Sequence, residues 1–283
     1  MKKLLTLLLA MLLCVACCMG LTACGGDDNG DGEQNNAKPV LYVYTNSGFA
    51  PYEYLSEDGK VVGVDMDIME EIGEVLGYKI EVRDIDFEQI LNEVSNNAAA
   101  VGAAGMTQNP DRDQIALASI SYATSVQYAI VPAGTFTSAD LVDGKLPLTK
   151  LATLSNKKIG TQTGTTGYYM VDGALAAATE EDPAGELFGT GASVFTYKNA
   201  ILASQDIGSS IGSVVIDKLP AQSICEANAN LECFELDAEP ESYVLYFNKN
   251  ATALVAKVNA VLEVMIENGV IDYFTIKHSG GIA

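Results

Sequence analysis

Apolar residues change their spacing along the chain, and the changes mark a series of elements. Val40-Leu41-Tyr42-Val43-Tyr44-Thr45 is rich in β-branched and aromatic residues and predicts a strand. A loop, Asn46–Tyr52, and an Asp58-Gly59 turn follow. Ile68, Met69, Ile72, Val75 and Leu76 then recur at helical spacing, with an Asp67–Glu70 capping box at the front and Gly77 at the end. Tyr78–Val82 predicts the next strand. Asp86 and Gln89 repeat the capping pattern ahead of Phe87, Ile90, Leu91 and Val94 on one helix face. Ala98–Ala104 predicts a small-residue strand, Asn109 an N-cap with Pro110 at the first helical position, and Val126–Val131 another strand.

The alternation then repeats. Lys158–Gln162 predicts a strand, Thr163–Gly167 a Gly/Thr loop and Tyr168–Ala178 a helix. Asn199–Gln205 predicts a helix, Ser213–Ile216 a strand ending at Asp217, Pro220–Asn228 a helix, and Leu231–Leu236 and Tyr243–Asn248 strands. Val255, Val258, Val261, Leu262, Met265 and Ile266 form a closing helix ended by Gly269. Strands alternating with helices imply open α/β sheets, whose ligands bind beyond the carboxyl ends of the strands. The loops Asn46–Tyr52 and Gly105–Arg112 sit at such ends. Two α/β halves in series imply a cleft between lobes that closes around a solute.

The first residues carry a different pattern. Lys2 and Lys3 precede an uncharged run from Leu4 to Ala23, as in a signal peptide. Leu21-Thr22-Ala23-Cys24 resembles the lipobox of a bacterial lipoprotein, which implies a lipid (diacylglyceryl and palmitate) anchor on Cys24 and an extracytoplasmic place at the cell membrane. The competing reading is a spanning helix, since about twenty apolar residues cross a bilayer. The polar, Gly- and Asp-rich stretch after Cys24 cannot bury apolar surface and reads as a tether. The expected divisions are a leader at 1–23, a tether at 24–38, one lobe from 39–132 with 240–283, and a second lobe from 133–239.

The 283 residues have a formal net charge of −21, and loss of Lys2 and Lys3 with the leader makes the remainder more negative. Such a surface repels phosphates, so nucleic acid is excluded as a partner. His278 is the single histidine, which argues against a His-based catalytic dyad or a multi-His metal site; no metal or cofactor is expected. Beyond the leader and Cys24 only Cys225 and Cys233 remain, an even pair expected to form a disulfide in an oxidising compartment. The alternative is two reduced, buried thiols.

Four segments, in order, resemble the extracellular solute-binding family that serves ABC importers of polar amino acids. They are Phe49-Ala50-Pro51-Tyr52-Glu53-Tyr54 with Gly59–Asp67; Ala104-Gly105-Met106-Thr107-Gln108-Asn109-Pro110-Asp111-Arg112; Gly160-Thr161-Gln162-Thr163-Gly164-Thr165-Thr166; and Val214-Val215-Ile216-Asp217. Ala100, and Ile120-Ser121 ahead of Tyr122, depart from the family pattern. The resemblance implies a two-lobed periplasmic-binding-protein-like fold (type II), each lobe an open sheet flanked by helices and hinged by crossover strands. It also implies a monomer that delivers an amino acid or similar zwitterion to an ABC transporter permease.

Carried over residue by residue, Arg112 would take the guest's carboxylate through its bidentate fork. Thr107, Gly105 and Thr166 would assist it, and Asp217 would accept from the ammonium. Phe49 and Phe87 would flank the aliphatic part, and Asn46 would touch the guest's side chain. Blander readings stand beside these: a surface arginine paired with Asp111 or Asp113, Asp217 as an N-cap of the Pro220 helix, Thr165 and Thr166 as caps, and Phe87 as core. Two other functions compete, a small-acid dehydratase-like enzyme on the same scaffold and a ligand sensor for a membrane partner. Turnover of a bound guest would favour the enzyme, and the identity of a captured partner would separate sensor from importer.

Overall fold

The computed structural model describes residues 38–280; the expected leader, the lipidation site Cys24 and the tether up to residue 37 lie outside the described residues. β1 (Val40–Thr45) alternates inward and outward, with Leu41, Val43 and Thr45 buried. It pairs in parallel with β4 (Lys79–Asp84) and β5 (Ala100–Gly102). β14 (Tyr246–Phe247) joins β5 antiparallel, and β6 (Leu117–Ala118) closes the sheet in the order β4-β1-β5-β14-β6. The hairpin strands β2 (Tyr54–Leu55) and β3 (Val61–Val62) lead into helix α1 (Val64–Leu76). Its buried face of Met66, Ile68, Met69 and Ile72 packs on this sheet's side of the main core.

The second sheet has the order β10-β9-β11-β8-β12, from β8 (Gln127–Pro132), β9 (Lys158–Gln162), β10 (Ser193–Tyr197), β11 (Ser213–Asp217) and β12 (Leu231–Glu235). β9, β10 and β11 run parallel, whereas β8 runs antiparallel to both β11 and β12. Between the sheets the chain crosses twice, on β7 (Ala123–Ser125) and on β13 (Glu241–Tyr243), which pair with each other as an antiparallel ladder. This is the two-lobed architecture expected from the sequence.

The expected lobe boundary at 132 is corrected: the apolar strand 127–132 belongs to the second sheet, so the chain leaves the first lobe at β7. A buried apolar run reads alike in either sheet, because its partners are far away in sequence. Two expected capping boxes are also absent. α1 starts at Gly63 with no side-chain cap, Asp67 instead accepts from Lys277 and His278 at 2.6 and 2.9 Å, and Asp86 makes no cap bond. Gly269 does end the helix Thr252–Glu267, but it also opens a further helix, Val270–His278, that the sequence reading missed. Asn109 caps as expected, its Oδ1 accepting from the Arg112 N–H at 2.9 Å with Pro110 at the first helical position.

Cys225, on helix α6 (Lys218–Ala227), and Cys233, on β12, are free thiols, so the expected disulfide is not formed in this structure. The two side chains nonetheless meet: contact with Cys233, with burial second, pushes the Cys225 thiol up, and contact with Cys225 lowers that of Cys233. Among the described residues no helix is long and apolar enough to cross a membrane, and no group of three His, Cys, Asp or Glu could hold a metal.

Gly63 has φ 140° and ψ −177°, and an added Cβ would lie 2.1 Å from the Tyr52 carbonyl oxygen. That backbone region is accessible essentially only to glycine. Gly63→Ala is therefore expected to cost at least about 1–3 kcal/mol. A thermal melt should fall by about 2–4 °C for each kcal/mol in a domain of this size. An unchanged melting temperature would contradict the strain.

Candidate functional site

The carboxyl ends of β1, β5, β9 and β11 converge where the two sheets face each other. After β5 the chain turns through Gly105, whose φ is +50°. A Cβ there would stand 2.6 Å from the Phe49 ring, so only glycine lets the turn approach that ring. The Gly105 N–H donates to buried Asp65 at 2.9 Å, and the Tyr122 hydroxyl donates to the same carboxylate at 2.7 Å. Burial pushes Asp65 up to about 6, while these two donors pull it down. Asp65 thus anchors the turn from behind.

The Asn109 cap sets the first turn of helix α3 (Pro110–Ile115) and with it Arg112, which is 6% exposed. Its Nη1 donates to the Thr107 carbonyl at 2.7 Å and its Nη2 to the Gly164 carbonyl of the opposite lobe at 3.1 Å. The guanidinium lies 5.3 Å from the centre of the Phe87 ring, a cation–π arrangement. Among the described residues no carboxylate forms an ion pair with Arg112, which removes the surface-arginine alternative. Burial lowers its pKa, opposed by the nearby Tyr246, Glu241, Tyr169 and Asp217.

From the second lobe, Thr165 caps helix α4 (Thr166–Leu175) by accepting from the Tyr168 N–H at 3.3 Å. Gln162 reaches across to donate to Asn46 Oδ1 at 2.8 Å, and Asn46 in turn donates to the Ile85 carbonyl at 2.7 Å. An exposed Lys198–Asp86 pair also spans the cleft at 3.1 Å. Asp217 occupies the N-cap position of α6 but makes no cap bond; instead it accepts from the Tyr243 hydroxyl at 2.6 Å. Burial, then the nearby Glu241 charge, push Asp217 up to about 7, against the hydrogen bonds from Tyr243, Gln127 and Ser125.

These groups wall a small cavity of about 20 Å³ between the lobes. All eight residues singled out from the sequence line it: Arg112, Thr107, Gly105, Thr166, Asp217, Phe49, Phe87 and Asn46. Two details differ from the expected arrangement. The Thr107 and Thr166 hydroxyls donate to Glu241, at 2.5 and 2.8 Å, and Asn46 is spent on the contact between lobes. Sequence reasoning passed over Glu53 and Glu241. Glu53 is 1% exposed and lines the cavity, and among the described residues its Oε2 has no hydrogen-bond partner. Burial, reinforced by Asp65 and Asp217, holds its carboxyl well above the usual range. The signal for Glu53 was an acid inside an aromatic segment; Glu241 offered none, because it arrives on the returning crossover strand.

Two open sheets joined by a two-stranded ladder, with buried charged groups from both facing one small cavity, define a two-lobed solute-binding protein. The profile of the bacterial extracellular solute-binding proteins, family 3, matches residues 41–280, and the chain belongs to that family. The arginine-binding extracellular protein ArtP of Bacillus subtilis is 25% identical over 92% of this chain and 93% of its own length. A probable histidine-binding protein of Neisseria gonorrhoeae is 28% identical over 95% of this chain and 93% of its own. Among solved structures, an ancestral arginine-binding protein bound to glutamine superposes with a TM-score of 0.71 and 27% identity, covering 87% of this chain and 99% of that one. The family's description as extracellular places the chain's work outside the cytoplasm.

The Tyr243 hydroxyl stabilises the ionised form of Asp217. Tyr243→Phe is expected to move the Asp217 titration, followed by carboxyl-carbon NMR, upward from about 7. A downward or absent shift would mean that the contact does not act on that carboxylate.

Proposed function

We propose that the protein is the substrate-binding component of an ABC importer and that its guest is an amino acid with a cationic side chain, arginine foremost. The observation that carries this reading is the charge of the cavity wall. One guanidinium, Arg112, faces two buried carboxyl groups, Glu53 and Asp217, and among the described residues Glu53 Oε2 has no partner. A guest with one carboxylate and two cationic groups matches that set. Arg112 retains N–H donors for the carboxylate. Asp217 accepts from the α-ammonium, and Glu53 from the distal cation between the Phe49 and Phe87 rings. The relatives named for arginine and histidine support the same class. Binding, closure and delivery need no bond to be made or broken. The same reading includes a lipid anchor at Cys24, a Cys225–Cys233 disulfide after export, a monomeric state and a permease partner.

Arg112→Ala removes the carboxylate's charged partner and is expected to cost about 2–5 kcal/mol of binding. That is about 30-fold to several-thousand-fold in Kd. Calorimetry with L-arginine checks this, and an unchanged Kd removes Arg112 from the site. The basic reading itself is tested by a thermal-shift screen of the twenty amino acids. A guest at about a hundred times its Kd stabilises the fold by about 2.7 kcal/mol. Stabilisation by acidic or large apolar amino acids instead of basic ones would sink it.

The raised Asp217 adds a pH dependence with a definite sign. Without guest it holds its proton below about 7, and an ammonium requires the ionised form. Affinity should therefore rise with pH up to about 7, and binding should release protons at neutral pH. The contribution to unliganded stability runs the other way: the folded state binds this proton more tightly than an ordinary Asp of 3.8, so stability from this group declines between 3.8 and about 7. Calorimetry in buffers of different ionisation enthalpy reads the released protons. Uptake rather than release would contradict the assignment of Asp217.

A further inference from the structure

Glu241 is the charged group of the cleft that the reading above leaves without a task. It is the first residue of β13, on the second crossing between the lobes. Its Oε2 accepts from the Thr107 hydroxyl of one lobe at 2.5 Å and from the Thr166 hydroxyl of the other at 2.8 Å. Its Oε1 accepts from Gln127 Nε2 at 2.8 Å. A hydroxyl has one proton to donate. While Glu241 holds both, neither threonine can donate to a guest's carboxylate.

Thr107 and Thr166 also wall the main cavity beside Arg112, where such a carboxylate would be held. Behind the same two threonines lies a recess open to solvent, lined by Met170, Glu239, Pro240 and Glu241. Glu241 therefore sits between cavity and recess, with room on its far side for the side chain to turn away.

We infer that Glu241 is a built-in stand-in for the guest's carboxylate and a determinant of which guests are accepted. It takes the hydroxyl pair when no guest does, and it leaves toward the recess when a stronger carboxylate arrives. Two carboxylates on one hydroxyl pair repel, so the exchange is competitive. Arg112 tips it: a guest that brings a carboxylate gains that guanidinium together with both hydroxyls. A guest without a carboxylate has no use for the hydroxyl pair and leaves Glu241 in place. This inference rests on the proposed reading that the guest carries an α-carboxylate.

The test is calorimetry on the whole protein with L-arginine and with L-argininamide, which keeps both cations and lacks the carboxylate. Glu241→Ala is expected to bind arginine about tenfold more tightly than the natural chain, the scale of one charged hydrogen bond. Glu241→Gln, which keeps an acceptor oxygen but loses the charge, should show a smaller gain in the same direction. Argininamide should gain nothing in either variant. Arginine binding that is weakened or unchanged in both variants overturns the inference, as does an equal gain for the amide. If the natural chain and both variants bind argininamide but not arginine, the carboxylate reading itself fails, a result distinct from failure of the competition.

Discussion

A cationic group and several acidic ones, most of them buried, face one another between the lobes, and the cleft is organised around that constraint. A buried charge is costly unless something pairs with it. Arg112 meets the requirement with two backbone carbonyls, one from each lobe, and the face of Phe87. Asp217 meets it with the Tyr243 hydroxyl, and Glu241 with two threonines and a glutamine. Glu53 meets it by keeping its proton, because burial and the nearby Asp65 and Asp217 hold its carboxyl well above the usual range. Among the described residues its Oε2 has no hydrogen-bond partner, so that oxygen is open to a group that arrives in the cavity.

The architecture makes that pairing reversible. The residues facing the cavity come from turns at the carboxyl ends of strands in two separate sheets, and the sheets communicate through the short β7–β13 ladder. The hydrogen bonds and ion pair that span the cleft include Arg112 to Gly164, Gln162 to Asn46, and the exposed Lys198–Asp86 pair. A guest that adds ionic contacts to both walls shifts the balance toward closure through its greater affinity for the closed arrangement. Glu241, rooted in the ladder and touching both lobes, sits where such a shift would be felt.

Much of this was legible beforehand because the informative signals were local. Asn109-Pro110 announced a helix start, and that start aims Arg112 at the cleft. Asp217 ended an apolar run at a strand's carboxyl edge, and Gly105 preceded a turn that proved to need glycine. The failures were non-local. The strand 127–132 has the same composition whichever sheet receives it, so the lobe boundary was drawn too late. Asp67 followed the capping-box spacing but was taken by Lys277 and His278, some two hundred residues away. Glu53 and Glu241 look like ordinary acids in a strongly acidic chain. Only the meeting of distant segments makes one of them unpaired and the other a bridge between lobes.

The central claim is that the cleft's surplus of carboxyl groups over guanidinium selects a guest by its distal positive charge. Arginine and citrulline have nearly the same shape and share the α-carboxylate and α-ammonium, and they differ in that charge. Competitive calorimetry of the two at neutral pH is therefore the most direct measurement. The account predicts that arginine binds at least about a hundredfold more tightly, as expected for a buried charge pair. Equal affinities, or a preference for citrulline, would contradict it.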